Sequence, residues 1–164
     1  MPSVELKQIP QICVVVRDVQ EAMERYWKTF GIGPWQVYTM APPLMTEMTI
    51  REKPEPYSMR IALAQVGNIQ WELIQPLTGQ SIYKEFLEQS GEGVHHVLSV
   101  VDDYDRALAG FKAAGMQPLM GGTWRGATFM YVDARKQLGT IVEIFKTNPD
   151  FALPEPEATY PAGK

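Results

Sequence analysis

Gln11-Ile-Cys-Val-Val-Val-Arg-Asp-Val-Gln-Glu-Ala22 and His96-Val-Leu-Ser-Val-Val-Asp-Asp-Tyr-Asp-Arg-Ala107 follow one pattern. Each runs from an apolar strand through an aspartate into an amphipathic helix. Each helix closes on a glycine, Gly31 in the first copy and Gly115 in the second. Aligning Gln11 with His96 also aligns Asp18 with Asp103 and Ala22 with Ala107; the alignment slips by one residue before the terminal glycine. Further along, each copy has a strand with one carboxylate among apolar residues, Trp71-Glu72-Leu73-Ile74 and Val142-Glu143-Ile144-Phe145. A duplication makes one constellation of four scattered polar residues. Gln11, Glu72, His96 and Glu143 occupy matching places in two copies of one unit.

The local reading supports the repeat. Residues 9–17 are rich in Val and Ile and predict a strand. Asp18 predicts an N-cap, its side-chain oxygen accepting from an otherwise unpaired helix N–H. Val19, Ala22, Met23, Tyr26, Trp27 and Phe30 lie three or four apart and form one apolar stripe. Gly31 ends that helix, because glycine accepts the left-handed conformation at low cost. The second copy repeats this with a strand over 94–101, Asp102 or Asp103 as cap, and a stripe of Tyr104, Ala107, Leu108 and Phe111. Strands are predicted over 35–40, 46–52 and 58–66, with Gly67-Asn68 turning into 69–75 and Pro76 ending it. A helix over 79–90 links the halves. Strands over 117–121, 127–133 and 139–145 follow, with 133–139 as a loop.

The predicted fold is therefore α+β. Residues 1–146 form a single domain of two tandem βαβββ modules, about 8–76 and 93–146. The tail, 147–164, holds Pro149, Pro154, Pro156 and Pro161 and is predicted to be irregular. Composition narrows the function. The net charge is −4 and no Lys/Arg run offers a phosphate-binding patch, which argues against nucleic acid as a partner. Cys13 is the single cysteine, so no intrachain disulfide forms, and a reducing compartment fits. The longest apolar run, Ile12 to Val16, is far short of the ~20 residues that span a bilayer. The opening residues lack the apolar core of a signal peptide. The expectation is a cytoplasmic protein, off the membrane, with a small-molecule partner.

Four phrases carry a resemblance: Asp18-Val-Gln-Glu-Ala22 with Tyr26 and Gly31; Glu72-Leu-Ile-Gln-Pro76; Gly93-Val-His-His-Val97 with Asp102-Asp103; and Val142-Glu-Ile144. Over about residues 8–146 the chain resembles the vicinal oxygen chelate superfamily. That group includes glyoxalase I, methylmalonyl-CoA epimerase, extradiol dioxygenases and bleomycin-resistance proteins. The Glu-Leu-Ile-Gln-Pro strand, the linking helix and the Val-His-His segment are most similar to methylmalonyl-CoA epimerase. The resemblance implies an open cup-shaped mixed β-sheet with helices outside and a divalent metal inside. The ligands it implies are Gln11, Glu72, His96 and Glu143. His96 is preferred to His95 because it aligns with Gln11; strand alternation predicts that His95 points to the opposite face. The resemblance also implies a homodimer.

An imidazole, two carboxylates and an amide oxygen form a hard, mixed N/O set. It suits Zn, Ni, Co, Mn or Mg better than copper(I) or an iron–sulfur cluster. Two carboxylates on apolar strands are costly unless paired or metal-bound, and neither has a basic neighbour in its strand. Many relatives carry histidine at the place of Gln11. A Gln/Glu plus His/Glu set is similar to the eukaryotic type of glyoxalase I, and it counts against the two-histidine, one-carboxylate iron of a ring-cleaving dioxygenase.

The implied reaction is proton transfer alpha to a carbonyl or thioester. The metal polarises the substrate oxygen, Glu143 is the first choice as base, and Glu72 is its counterpart. Two bases on opposite faces give epimerisation; one base serving both carbons gives a glyoxalase-type isomerisation. The leading function is thus a divalent-metal-dependent isomerase, epimerase or lyase. The alternative is a non-catalytic drug- or metabolite-binding protein of the bleomycin-resistance type, and the third reading is the dioxygenase.

Each of these residues also has a plain structural reading. Gln11 can bond to backbone, the glutamates can face water at a sheet edge, and the histidines can be core residues. Joint placement in a repeat is what favours the metal. Trp35, Met59, Trp71, Trp124 and Arg125 are candidates for substrate binding, with further methionines suited to an irregular apolar pocket. Gly121-Gly122 and Gly126 around Trp124-Arg125 allow a movable loop. Cys13 shares its strand face with Gln11 and reads as a packed thiol.

Overall fold

Both aspartates cap their helices. The computed structural model describes residues 4–163. Strand β1 (Gln8–Val15) leads into α1 (Val19–Phe30), where Asp18 accepts from the Glu21 N–H at 3.0 Å and Gly31 closes the helix at φ 68°. Strand β7 (Gly93–Val100) leads into α3 (Tyr104–Ala113), where Asp103 accepts from the Arg106 N–H at 2.9 Å. Val19, Ala22 and Met23 of α1 and Tyr104, Ala107 and Phe111 of α3 are buried, as their stripes require. Between these units lie β2 (Trp35–Met40), β3 (Met45–Ile50), β4 (Lys53–Pro54), β5 (Met59–Val66), β6 (Ile69–Pro76) and α2 (Ile82–Ser90). After α3 come β8 (Pro118–Trp124), β9 (Ala127–Val132), the one-turn helix α4 (Arg135–Leu138), β10 (Ile141–Thr147) and β11 (Ala158–Tyr160).

All strands join one mixed sheet in the order β11-β2-β5-β6-β1-β7-β10-β9-β8-β3-β4. The fold is α+β, and its two halves have matching strand orders, β1-β6-β5-β2 and β7-β10-β9-β8, joined along the antiparallel β1–β7 seam. The sheet curls without closing into a hydrogen-bonded barrel. Tyr38 of β2 and Trp124 of β8, near its two ends, still meet with ring centroids 6.1 Å apart. Alternation sorts the side chains into two faces. Inward residues such as Cys13, Val15, Ile61, Leu63, Ile74, Tyr131 and Ile141 form the larger core. Outward residues pack beneath α1 in the first half and α3 in the second. Helix α2 differs from the two outer helices: Ile82, Tyr83 and Leu87 belong to the inner core. No helix among the described residues is long and apolar enough to cross a membrane.

Three expectations change. The segment predicted as a strand over 46–52 of the first module crosses to the second. As β3 it pairs with β8, and the left-handed pair Arg51 and Glu52 (φ 48° and 64°) turns it into β4. The Gly121-Gly122 segment is no loop but the middle of β8. A Cβ on Gly121 would lie 2.6 Å from Met130 Cε, and one on Gly122 3.1 Å from Met45 Cε, so the glycines admit close packing on both faces. Only Arg125 and Gly126 form the turn, both at positive φ (51° and 91°) as a two-residue hairpin demands. The tail also has regular structure. β11 adds to the edge of β2, and Glu157 accepts from the Thr39 N–H and Oγ1 at 2.7 and 2.8 Å.

Candidate metal centre

Strands β6, β1, β7 and β10 lie side by side at the middle of the sheet, and their inward faces carry all four predicted ligands. Cys13 stands opposite Glu72 on one side and His96 on the other. Glu143 stands opposite Leu98, which itself faces Gln11. His96 is fully buried, and Gln11, Glu72 and Glu143 are each only 7% exposed. The His96 Nε2 lies 3.1 Å from Glu143 Oε2 and 3.7 Å from Glu72 Oε2. The structure thus brings the imidazole and both carboxylates together.

Neighbouring side chains occupy one polar atom of each neutral donor. Gln11 donates its Nε2 to Gln70 Oε1 at 2.7 Å, which leaves its own Oε1 buried without a partner. His96 Nδ1 lies 2.8 Å from His95 Nδ1, and its Nε2 faces the two carboxylates at ion-pair distance. Gln11 Oε1 and His96 Nε2 are buried without a hydrogen bond, on the sheet face that also carries the two carboxylates. A divalent cation fits such a set, since unpaired buried polar atoms are costly and hard oxygen and imidazole donors suit it. Without a cation the imidazole takes its role. Burial opposes charge on His96, but Glu143 and Glu72 outweigh it and raise its pKa to about 9. Burial raises the Glu143 carboxyl against the opposing pull of His96.

His95 departs from expectation. A register shift in β7 opposite Cys13 and Val14 leaves His95 without a partner on β1. The extra residue breaks alternation, so His95 does not leave the inner face. Its ring packs on Tyr83, Phe86 and Tyr131 at 5.4, 5.1 and 6.5 Å. Burial, with His96 next to it, drives its pKa down to about 3 and keeps it neutral. A neutral His95 can fix the ring of His96, as an outer partner commonly does for a ligating histidine.

A cavity of about 290 Å³ opens above these groups. Gln11, Gln70, Glu72 and Glu143 supply its polar floor; Met59, Trp124, Phe129 and Tyr131 are among its apolar walls. Among the predicted substrate-binding residues, Met59 and Trp124 line the cavity, and Trp35, Trp71 and Arg125 do not. Trp35 and Trp71 have outward parity and pack around Tyr26 of α1 at 6.0 and 6.3 Å. Arg125 occupies the hairpin tip, its guanidinium 5.8 Å from the Trp124 ring. The sequence reading missed Gln70, which its spacing of two from Glu72 could have placed on the same face. It also missed Phe151 and Leu153. The tail passes from β10 to β2 and lays both against the cavity, which no local pattern announces.

Cys13 belongs to the inner core and also borders the polar groups. Its Sγ, a Glu72 carboxylate oxygen and a His96 ring nitrogen all lie within 4.8 Å of one another. Burial and the nearby Glu72 and Glu143 carboxylates push its thiol well above the ordinary range, so it is protonated in the absence of a cation.

A family model, the Glyoxalase/Bleomycin resistance protein/Dioxygenase superfamily, matches residues 10–132. The chain belongs to that superfamily. The uncharacterized protein YqjC of Bacillus subtilis (strain 168) is 28% identical over 150 residues, covering 88% of this chain and 96% of its own. Solved structures share the fold. The hypothetical protein BH1468 from Bacillus halodurans C-125 has TM-score 0.64 at 19% identity, with 89% of this chain and 98% of its own covered. Methylmalonyl-CoA epimerase from Mycobacterium tuberculosis has TM-score 0.61 at 18% identity, with 91% and 93% covered. Methylmalonyl-CoA epimerase from Streptomyces coelicolor, in complex with 2-nitronate-propionyl-CoA, has TM-score 0.62 at 18% identity, with 91% and 100% covered. This superfamily member thus shares its architecture with epimerases.

Proposed function

We propose that this protein is a divalent-metal-dependent isomerase, epimerase or lyase that moves a proton alpha to a carbonyl or thioester. One observation carries the reading: the buried His96 Nε2 lies 3.1 and 3.7 Å from the Glu143 and Glu72 carboxylates, which together with Gln11 line an apolar cavity. A bound cation would supply a Lewis acid that stabilises negative charge on the substrate oxygen. Gln11, Glu72, His96 and Glu143 would hold it.

Glu143 is the proposed base. Its raised pKa suits a carboxylate that must both take and return a proton. Glu72 stands across the imidazole as the second proton carrier. Gln70 and His95 position the neutral ligands. Met59 and Trp124 hold the substrate's apolar part. The tail supports a small, fairly apolar substrate, because Phe151 and Leu153 narrow the cup above the carboxylates.

The experiment is metal analysis of protein purified without chelators, followed by solvent deuterium incorporation into α-substituted acyl thioesters and hemithioacetals. The expected result is about one divalent ion per chain and exchange that stops on chelation. Bound metal with no exchange on any substrate would favour the drug- or metabolite-binding alternative, which the apolar cavity also suits. Exchange untouched by chelation would overturn the metal requirement.

A further inference from the structure

We propose that Cys13 supplies a sulfur ligand to the same cation, so that the site prefers zinc, cobalt or nickel over magnesium and manganese. This rests on the metal reading above.

Three observations lead to it. Cys13 is the residue in β1 that faces Glu72 across one seam and His96 across the other. Its Sγ comes within 4.8 Å of the donor atoms of both. The fully buried His96 Nε2 at the same place makes no hydrogen bond and lies 3.7 Å from Glu72 Oε2. The repeat supplies a control. The β1–β6 register pairs Cys13 with Glu72, and the β7–β10 register pairs Leu98 with Glu143. The matching rung of the other half carries a half-buried leucine, so a sulfur on this rung belongs to the fully buried Cys13 alone.

A thiolate is a soft donor. Added to imidazole and carboxylate, it moves the preference from all-oxygen cations toward borderline ones. On binding, the S–H bond breaks and an S–metal bond forms. The proton passes to solvent, and no oxidation state changes.

The test is cobalt(II) substitution of the intact protein. Cobalt bound here is expected to show its visible d–d bands together with a near-ultraviolet sulfur-to-cobalt charge-transfer band. The Cys13→Ser protein should keep the visible bands and lose the charge-transfer band. Its cadmium affinity should fall by at least about tenfold, the loss that follows removal of even an outer partner, with manganese affinity unchanged. Wild-type d–d bands without charge transfer would overturn the sulfur ligand and leave the metal site standing. Absence of any cobalt binding by wild-type protein would overturn both.

Discussion

The two halves share one scaffold and differ in chemistry. In the first, Gln11 pairs with Gln70 and Cys13 with Glu72; in the second, His96 pairs with Ile141 and Leu98 with Glu143. The registers coincide, so duplication placed two equivalent carboxylates on equivalent rungs. The donors beside them are not equivalent. The first half offers a neutral amide and a thiol, the second an imidazole with leucine on the rung that matches the thiol. The outer partners also differ in origin. Gln70 reaches Gln11 by ordinary alternation, two residues from Glu72. His95 reaches His96 through a bulge in β7, and β1 has a matching register shift between Gln8 and Gln11 that brings no second imidazole. A symmetric backbone can thus build an asymmetric site when the side chains on matching rungs differ.

The comparison breaks most visibly at the carboxylates. Glu143→Gln is expected to lower proton exchange about a hundred- to ten-thousandfold, the scale of a lost general base. An equal loss in Glu72→Gln would mean that both halves supply bases, the epimerase case. A much smaller loss would leave Glu143 as the working base. Next come the neutral ligands. His96→Ala should strip the cation during gel filtration, whereas Gln11→Ala should weaken it by about tenfold and retain it, because an uncharged amide is the weaker donor. Metal content by elemental analysis separates these outcomes. Equal losses would restore symmetry between the halves.

The outer partners give a smaller effect. Gln70→Leu and His95→Phe should each lower metal affinity by about ten- to a hundredfold. Unchanged affinity in a calorimetric titration would remove their orienting role. The smallest effect compares the caps. Asp18→Ala and Asp103→Ala should each cost about 1 kcal/mol of unfolding free energy, read from urea midpoints. A large gap between them would show that one half depends more on its helix.

Part of this was legible in the chain. The two strand–Asp–helix phrases are local, so spacing placed α1, α3 and the Asp18 cap, and left the second cap between Asp102 and Asp103, of which Asp103 serves. Gly67-Asn68 marked a turn, and Gly67 takes the left-handed conformation at φ 59°. Residues that depend on parity alone were harder to place. Trp35 and Trp71 are apolar enough for a pocket, but odd positions on β2 and β6 turn them beneath α1. His95 was misassigned because a bulge, invisible to composition, broke alternation. Cys13 had the right parity, and only the neighbouring strands showed which donors it meets.

The sequence by itself determined the duplication, the helices with their caps, and the four polar positions that repeat. These follow from periodicity and turn chemistry within short windows. Tertiary structure decided the rest: β3 leaving its own half for β8, the tail crossing to β2, and Cys13 coming within 4.8 Å of Glu72 and His96. Those contacts join residues far apart in the chain. What fixes them is which sheet edge lies unpaired and how far the sheet curls, and neither is encoded in any local stretch of residues.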